Sequence, residues 1–307
     1  MSELVTVFGG GGFVGRYAVQ ALLRAGYRVR IAERSPKRGW ASKAQADLGQ
    51  LQFISADVTR TETVDRAVAG ASGVVNLVGV FGSAMDAVQR GGAATVAQAA
   101  AAAGVRTLVH VSAIGADPHS PSAYGRSKGQ GEAAVRGAFP GATVLRPSIV
   151  FGREDQFVNR FAGLIRMLPV VPIIGGATKF QPVHVGDVGQ GVAAAVALGA
   201  DGITYELGGP EILSMSELNR WIAKAIGREP MFIELPDMVS SLLASATGWL
   251  PAAPITSDQW LMLQKDNVVA EGAKTLADLR IVPTSLEAVA DRWLVQYRKH
   301  GRFGAAQ

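Results

Sequence analysis

The sequence predicts an α/β fold, a doubly wound parallel sheet followed by a small irregular C-terminal lobe. Three observations carry this. Short apolar runs alternate with helix-spaced segments through the first half, a glycine cluster separates the first run from the first helical segment, and the alternation breaks down after about Pro147. Hydrophobic residues make up 48% of the 307 residues and charged residues 18%. That is ample for a large core, with too little charge for a disordered chain.

Leu4–Phe8 reads as an apolar strand and Val14–Arg24 as a helix. Strands follow at Arg28–Ala32 and Gln52–Ser55, a helix at Thr61–Ala69, a strand at Gly73–Val78 and an Ala-rich helix at Asp86–Ala103. Thr107–Val111 is a strand, Ala123–Phe139 a helix and Thr143–Leu145 a strand. Short β-rich runs separated by helices imply βαβ units and a parallel sheet covered on both faces, with ligands at the carboxyl ends of its strands. Beyond Pro147 the chain is rich in Pro and Gly, and helices return at Val188–Leu198, Ser216–Ile226, Met238–Ala246 and Leu286–Tyr297. The expected division is residues 1–150 as a dinucleotide-binding domain and 151–307 as the last sheet elements plus a small substrate or partner lobe. The two are interleaved, so neither folds alone.

The first strand runs into Gly9-Gly10-Gly11-Gly12-Phe13-Val14-Gly15. Glycines at 9, 12 and 15 give GxxGxxG between strand and helix: one for the tight turn, one for close approach of a pyrophosphate, one for helix–strand packing. The helix amides then face the phosphates. A Gly-rich loop with no ligand is the plainer alternative, and the β-α-β context argues against it. The fold is therefore read as Rossmann-type, with Gly9, Gly11, Gly12, Phe13, Val14 and Gly15 on the cofactor.

After the second strand come Glu33 and then Arg34, Lys37 and Arg38. An acid there suits the ribose hydroxyls of NAD, whereas cations suit the 2′-phosphate of NADP. Three cations around one acid favour NADP(H) over NAD(H); a solvated charged loop is the alternative. Asp57 and Val58 follow the third strand, and Asn76, Val78 and Gly79 close the fourth, where adenosine would pass. For Asp57, a turn residue capping the next helix explains the position equally well.

Tyr124 and Lys128 stand at i and i+4 on one helix face, downstream of Ser112 at the end of the fifth strand. A neighbouring ammonium is expected to lower the phenol pKa, as proton exchange with a carbonyl or alcohol requires. Ser112 could hold the same substrate oxygen. The alternative is an exposed pair on an ordinary amphipathic helix.

Together these residues resemble the short-chain dehydrogenase/reductase superfamily in its atypical or extended, epimerase/dehydratase-like branch. Arg146–Gly152 is similar to its RPxxVFG segment and Pro182–Val188 to its PVHVxDV segment. Val7–Arg16, Ser112–Asp117, Tyr124–Lys128 and Ser257–Val268 resemble, in particular, proteins related to the nucleotide-binding accessory subunit of respiratory complex I. The resemblance covers nearly the whole chain. It implies bound NADP(H), with Lys128 holding ribose and Pro147 and Ile149 beside the cofactor. Ile149 stands where nucleotide-sugar epimerases and dehydratases carry Asn, which weakens that reading.

Other classes are narrowed by composition. There is no Cys, so no disulfide and no Cys-based zinc or iron–sulfur site. His110, His119, His184 and His300 show no ligand spacing, and no metal is expected; His184 reads as a structural hydrogen-bonder. The N-terminus lacks the basic start of a signal peptide. The uncharged stretch between Asp237 and Asp258 holds Gly248, Pro251 and Pro254, so no transmembrane segment is expected there. Within it, Met238, Val239, Leu242, Leu243, Ala246 and Trp249 fall at helical spacing, either as a helix packed on the domain or as an apolar face for a quinone tail or partner. The Arg298–Arg302 end reads as a solvated basic helix end.

The formal net charge is +5, yet residues 24–43 hold seven cations against the single acid Glu33, a net +6 that leaves −1 for the rest. The basic balance is local, and no nucleic-acid partner is expected. The expected function is an NADP(H)-binding oxidoreductase acting on a carbonyl or quinone-like substrate, in the cytoplasm or against a membrane on its cytoplasmic or matrix side. The alternatives are a non-catalytic NADPH-binding accessory protein of complex I or a quinone-pathway complex, then a nucleotide-sugar epimerase or dehydratase. A redox-sensing regulator ranks last, since such proteins usually lack the Tyr/Lys pair.

Overall fold

The computed structural model describes residues 2–247, 255–299 and 301. Gly248, Trp249, Pro251, Pro254, His300 and Arg302, named above, lie outside them. In chain order the elements are β1 (Leu4–Phe8), α1 (Phe13–Arg24), β2 (Arg28–Glu33), β3 (Leu51–Ser55), α2 (Thr61–Val68), β4 (Gly73–Asn76), α3 (Ala93–Ala102), β5 (Thr107–Val111), α4 (Ala123–Ala138) and β6 (Thr143–Pro147). Then come β7 (Val150–Phe151), α5 (Val158–Met167), β8 (Val170–Ile173), β9 (Lys179–Phe180), β10 (Val183–His184), α6 (Val185–Leu198) and β11 (Thr204–Leu207). The last are β12 (Leu213–Ser214), α7 (Met215–Ala225), β13 (Met231–Glu234), α8 (Asp237–Thr247), α9 (Ser257–Met262) and α10 (Leu286–Leu294).

The chain forms two compact units. The first joins Met1–Pro147, Val185–Leu207 and Ala270–Val282. It holds a seven-stranded sheet in the order β11-β6-β5-β4-β1-β2-β3, every pair parallel. The fold is thus the Rossmann-type α/β arrangement. Strand order reverses between β1 and β4, and the switch point of such a sheet is where its ligand crevice opens. On one face, Phe8, Val74 and Leu108 pack with Val64, Val96 and Val135 from α2, α3 and α4. On the other, α6 crosses α1 closely, since a Cβ at Gly189 would come within 2.7 Å of the Tyr17 backbone.

Three arginines of the basic 24–43 stretch have structural tasks. Arg30 donates to the carbonyls of Ala67 (2.8 Å) and Ala69 (2.7 Å) at the end of α2, where free carbonyls attract a cation. Arg28 donates to the Ser2 carbonyl at 3.0 Å. Arg24 occupies the last turn of α1, where a cation complements the helix dipole.

Three stretches differ from the sequence-based expectation. β4 stops at Asn76 because the Asn76 side chain, rather than a neighbouring strand, takes the Val78 amide at 3.1 Å. The helix expected from Asp86 starts as a π-helical turn over Asp86–Gly92 before α3; there Gln89 donates to the Val80 carbonyl. The cationic loop after β2 is a 3-10 helix, Pro36–Gln45.

The second unit comprises Ser148–His184, Gly208–Val269 and Pro283–Gln307. Phe151, Ile165, Val171, Leu218, Ile222, Trp293 and Leu294 form its core. Its strands are short pairs, β7 with β10, β8 with β13 and β9 with β12, too brief for a period-2 signal to stand out in the sequence. α7 begins with a capping box between Ser214 and Glu217. Among the described residues no helix is long and apolar enough to cross a membrane.

Candidate dinucleotide site

The glycine loop sits at the carboxyl end of β1. Gly9 has φ +82°, a conformation that costs glycine little, and its carbonyl accepts the Gly12 amide at 3.0 Å. A Cβ at Gly15 would overlap that same carbonyl oxygen, so α1 can follow the turn only with glycine there. No side chain caps the start of α1; Phe13, Val14 and Gly15 thus supply the first-turn amides of a helix aimed at the loop.

The loop meets the end of β4. Leu77 donates to the Phe8 carbonyl at 3.0 Å, and a Cβ at Gly9 would lie 3.3 Å from the Leu77 backbone. Two residues on, a Cβ at Gly79 would lie 3.3 Å from Lys128 Nζ. Lys128, buried on α4, donates to the Val111 carbonyl at 3.3 Å, beside Ser112. Backbone bonds then carry the wall across to β6, from Ser112 to Leu145 (2.7 Å) and from Ile114 to Pro147 (3.0 Å). The first unit therefore assembles Gly9, Gly12, Gly15, Gly79, Ser112, Lys128 and Pro147 along one row of strand ends.

Helix α4 is held in that position by its own sequence. Ser122 caps it by accepting the Gly125 amide at 3.2 Å. At Gly129 a Cβ would overlap the Asp117–Pro118 backbone, so the helix and the segment after β5 touch at main-chain distance. Arg146 on β6 grips Glu132 through two bonds of 2.9 and 2.7 Å and lies 3.6 Å from Glu206 on β11. The two carboxylates hold the guanidinium above its usual pKa, Glu132 first.

Two features beside the site have no marker in the sequence. His110 lies on β5 opposite Asn76 on β4, with Asn76 Nδ2 3.4 Å from His110 Nδ1. Because Asn76 Oδ1 is taken by Val78, its amide nitrogen faces the ring and the imidazole proton belongs on Nε2. That Nε2 is buried and, among the described residues, has no partner. Burial, then the Lys128 charge, pushes the imidazole down to about 3, so it is neutral. The second feature is Phe81, an exposed aromatic stacked on Tyr124. It follows the strand end by a few residues in a loop without periodicity, and no sequence signal marks it.

The expected activation of Tyr124 is corrected by the structure. Burial pushes its phenol up to about 12, with no opposing contribution from Lys128, whose ammonium is turned to the Val111 carbonyl. Lys128 itself is pushed down to about 8 by burial, against the favourable charge of Glu132.

The remaining expected residues have local partners. Asp57 accepts from the Thr59 amide (3.0 Å) and hydroxyl (2.7 Å), which, ahead of Arg34 and Arg60, hold its carboxyl below the usual range. Val58 packs in the core. Arg34, Lys37 and Arg38 are exposed. The Glu33 carboxylate accepts the Gly11 amide at 2.8 Å, closing the glycine loop onto β2. Ile149 belongs to the second unit, where its carbonyl accepts the Val183 amide at 2.9 Å. His119 is exposed in the turn after β5, and among the described residues no group of His, Asp and Glu is arranged to hold a metal ion.

The residues present fit a dinucleotide: a glycine turn with no room for side chains, an uncapped helix start, and a Ser112 hydroxyl buried without a protein partner among the described residues. A family described as NAD(P)H-binding matches residues 9–149. Over 98% of its length the chain is 34% identical to the Arabidopsis thaliana mitochondrial NADH dehydrogenase (ubiquinone) 1 alpha subcomplex subunit 9, spanning 80% of that protein.

The chain belongs to the complex I subunit 9 family.

This family member is also similar to the ceramide reductase of Caulobacter vibrioides, at 31% identity over 76% of this chain and 74% of that protein. Its fold is shared with an NADPH-dependent quinone oxidoreductase from Escherichia coli complexed with NADPH. The TM-score is 0.76 at 20% identity, over 93% of this chain and 98% of the other. The subunit 9 relative, then, is an NAD(P)-binding protein with a reductase-like fold.

Proposed function

We propose that the protein is an NADP(H)-dependent oxidoreductase acting on a carbonyl or quinone-like substrate. One observation carries this reading: Lys128 reaches the strand end that bears Ser112, whose buried hydroxyl has no protein partner among the described residues, while Tyr124 lies one turn earlier on the same helix. When bound, the dinucleotide supplies a hydride to the carbonyl carbon. Tyr124, neutral with its phenol near 12, is in the state that can hand a proton to the carbonyl oxygen. Ser112 can donate to the same oxygen, and the products are an alcohol and the oxidised nucleotide. NADP(H) is favoured because Arg34, Lys37 and Arg38 are exposed while the nearby acid, Glu33, is engaged by Gly11. The names of the ceramide and quinone reductases support the substrate class.

The test has two stages. NADPH at a hundred times its dissociation constant should stabilise the protein by about 2.7 kcal/mol, with NADH giving less at equal concentration. Oxidation of NADPH by ketones and short-chain quinones should then require Tyr124: Tyr124→Phe keeps nucleotide binding and loses turnover. Unchanged turnover would remove Tyr124 from its role.

A second reading, an NADP(H)-binding accessory subunit without turnover, is favoured by Phe81 lying over Tyr124 and by the complex I relatives. It places the protein against a respiratory membrane on the cytoplasmic or matrix side. Tagged protein recovered from native membranes should then carry complex I subunits; recovery without any membrane partner counts against it.

A further inference from the structure

The glycine loop and the cationic 3-10 helix are packed against each other at main-chain distance. A Cβ at Gly11 would lie 2.8 Å from the Arg38 carbonyl carbon and 2.9 Å from the Gly39 amide nitrogen. Gly39 is itself buried; a Cβ there would lie 2.9 Å from the Phe53 ring and 3.1 Å from Ile31. On its other side, the Gly11 amide is held by the Glu33 carboxylate at 2.8 Å. The start of the cationic segment is fixed by the Arg38 amide bonding the Ser35 carbonyl at 3.1 Å. Further along, Lys43 lies 4.8 Å from the Trp40 ring centre and 5.5 Å from that of Phe53. Arg34, Lys37 and Arg38 thus project from a turn whose seat is Gly11 and β2, not from a free loop.

We propose that Gly11 and Glu33 are positioning residues for nucleotide discrimination: the Glu33–Gly11–Gly39 contact sets where the Arg34, Lys37 and Arg38 cations stand, and so sets the preference for a 2′-phosphate. Glu33 acts as a clasp within the protein rather than as a ligand of the adenosine ribose. The proposal rests on the NADP(H) reading above. It separates two properties usually merged in a glycine loop. Pyrophosphate contact is common to NADPH and NADH, whereas displacement of Arg38 and Gly39 is felt only by the nucleotide with the extra phosphate. Charged contacts of this kind depend on position, because a phosphate dianion is recognised by directed hydrogen bonds as well as by charge.

The experiment measures dissociation constants for NADPH and NADH on the wild-type chain and on Gly11→Ala, Gly39→Ala and Glu33→Gln, and reads their ratio. Gly11→Ala and Gly39→Ala should lower the NADPH preference about tenfold, with NADH affinity changed much less in Gly39→Ala, which leaves the loop untouched. Glu33→Gln keeps an oxygen that can accept the Gly11 amide, so the ratio should stay within about twofold. Equal losses for both nucleotides in both glycine variants would overturn the proposal. So would a Glu33→Gln variant that loses NADH and gains NADPH, the mark of a ribose ligand. A wild-type chain that binds NADH as well as NADPH would overturn the NADP(H) reading itself, a result distinguishable from these. Should Gly11→Ala fail to fold, Gly39→Ala and Glu33→Gln still decide.

Discussion

Phe81 lies flat on Tyr124, the ring centres 4.8 Å apart and the planes 13° from parallel. The stack helps keep water from the tyrosine, and burial is what pushes its phenol up to about 12. Phe81→Ala should bring the phenol back toward its ordinary value of 10.0. Ultraviolet titration of phenolate absorbance, referenced to Tyr124→Phe, reads this directly. Phe81 is 72% exposed, so the stability cost should stay below about 1 kcal/mol.

Gly15 has no space for even one more carbon, because the Gly9 carbonyl fills it. Gly15→Ala should destabilise the fold by about 1–3 kcal/mol and abolish nucleotide-induced stabilisation. Gly137→Ala on α4 is the control, since no atom lies within 4 Å of its added carbon. That helix site should gain slightly in thermal stability, about 0.5–1 kcal/mol.

The Arg146–Glu132 pair ties β6 to the helix bearing Lys128 and Tyr124. Truncating one partner leaves a buried charge unmatched, and Arg146→Met should cost roughly 3 kcal/mol in chemical denaturation. Replacing both, with Glu132→Leu added, should recover a large part of that loss. Additive losses in the double variant would show that the pair is not the coupling unit.

Two buried bases give the chain a pH signature. Lys128 has a folded value of about 8 against 10.5 unfolded. Between those values the unfolded chain holds the extra proton, so stability rises with pH across that window and the cost of burying the ammonium is full below it. Lys128→Met should therefore be more stable than wild type at neutral pH by about 3 kcal/mol, the gap closing in alkali. His110 is neutral when folded down to about 3, against 6.5 unfolded, so stability should fall by about 1.4 kcal/mol per pH unit as acid is added between them. Denaturation curves of His110→Gln over the same range should lose that slope.

Most of the first unit was legible in the sequence. A parallel strand buried on both faces must be a short, mostly apolar run, as β1, β4 and β5 are, so those runs and the GxxGxxG spacing located the glycine loop at a strand end. The placement of Tyr124 and Lys128 on one helix, and of Ser112 just past a strand, was legible because helix periodicity and the end of an apolar run are marked in the sequence. The Tyr124 environment was not: a pKa depends on how much water reaches the group, and the ring stacked on it, Phe81, comes from a segment 43 positions away with no pattern of its own. The short strand pairs of the second unit left no pattern either. Residues of two-residue strands are chosen by tertiary packing, as with Phe180, buried against Ile173 and Met215.

The first unit draws its sheet from pieces far apart in the chain, with β11 hydrogen-bonded to β6 only after Val185 and the residues that follow have been made. A ribosome therefore releases β6 as a bare edge well before its neighbour exists, and that edge can recruit strands from other chains. A fragment cut at the end of β6 would carry the complete glycine loop and still expose that edge permanently. Attempts to produce the nucleotide-binding half by itself should give aggregates, whereas a circular permutant that delivers β11 early should shorten the vulnerable interval and raise the soluble yield.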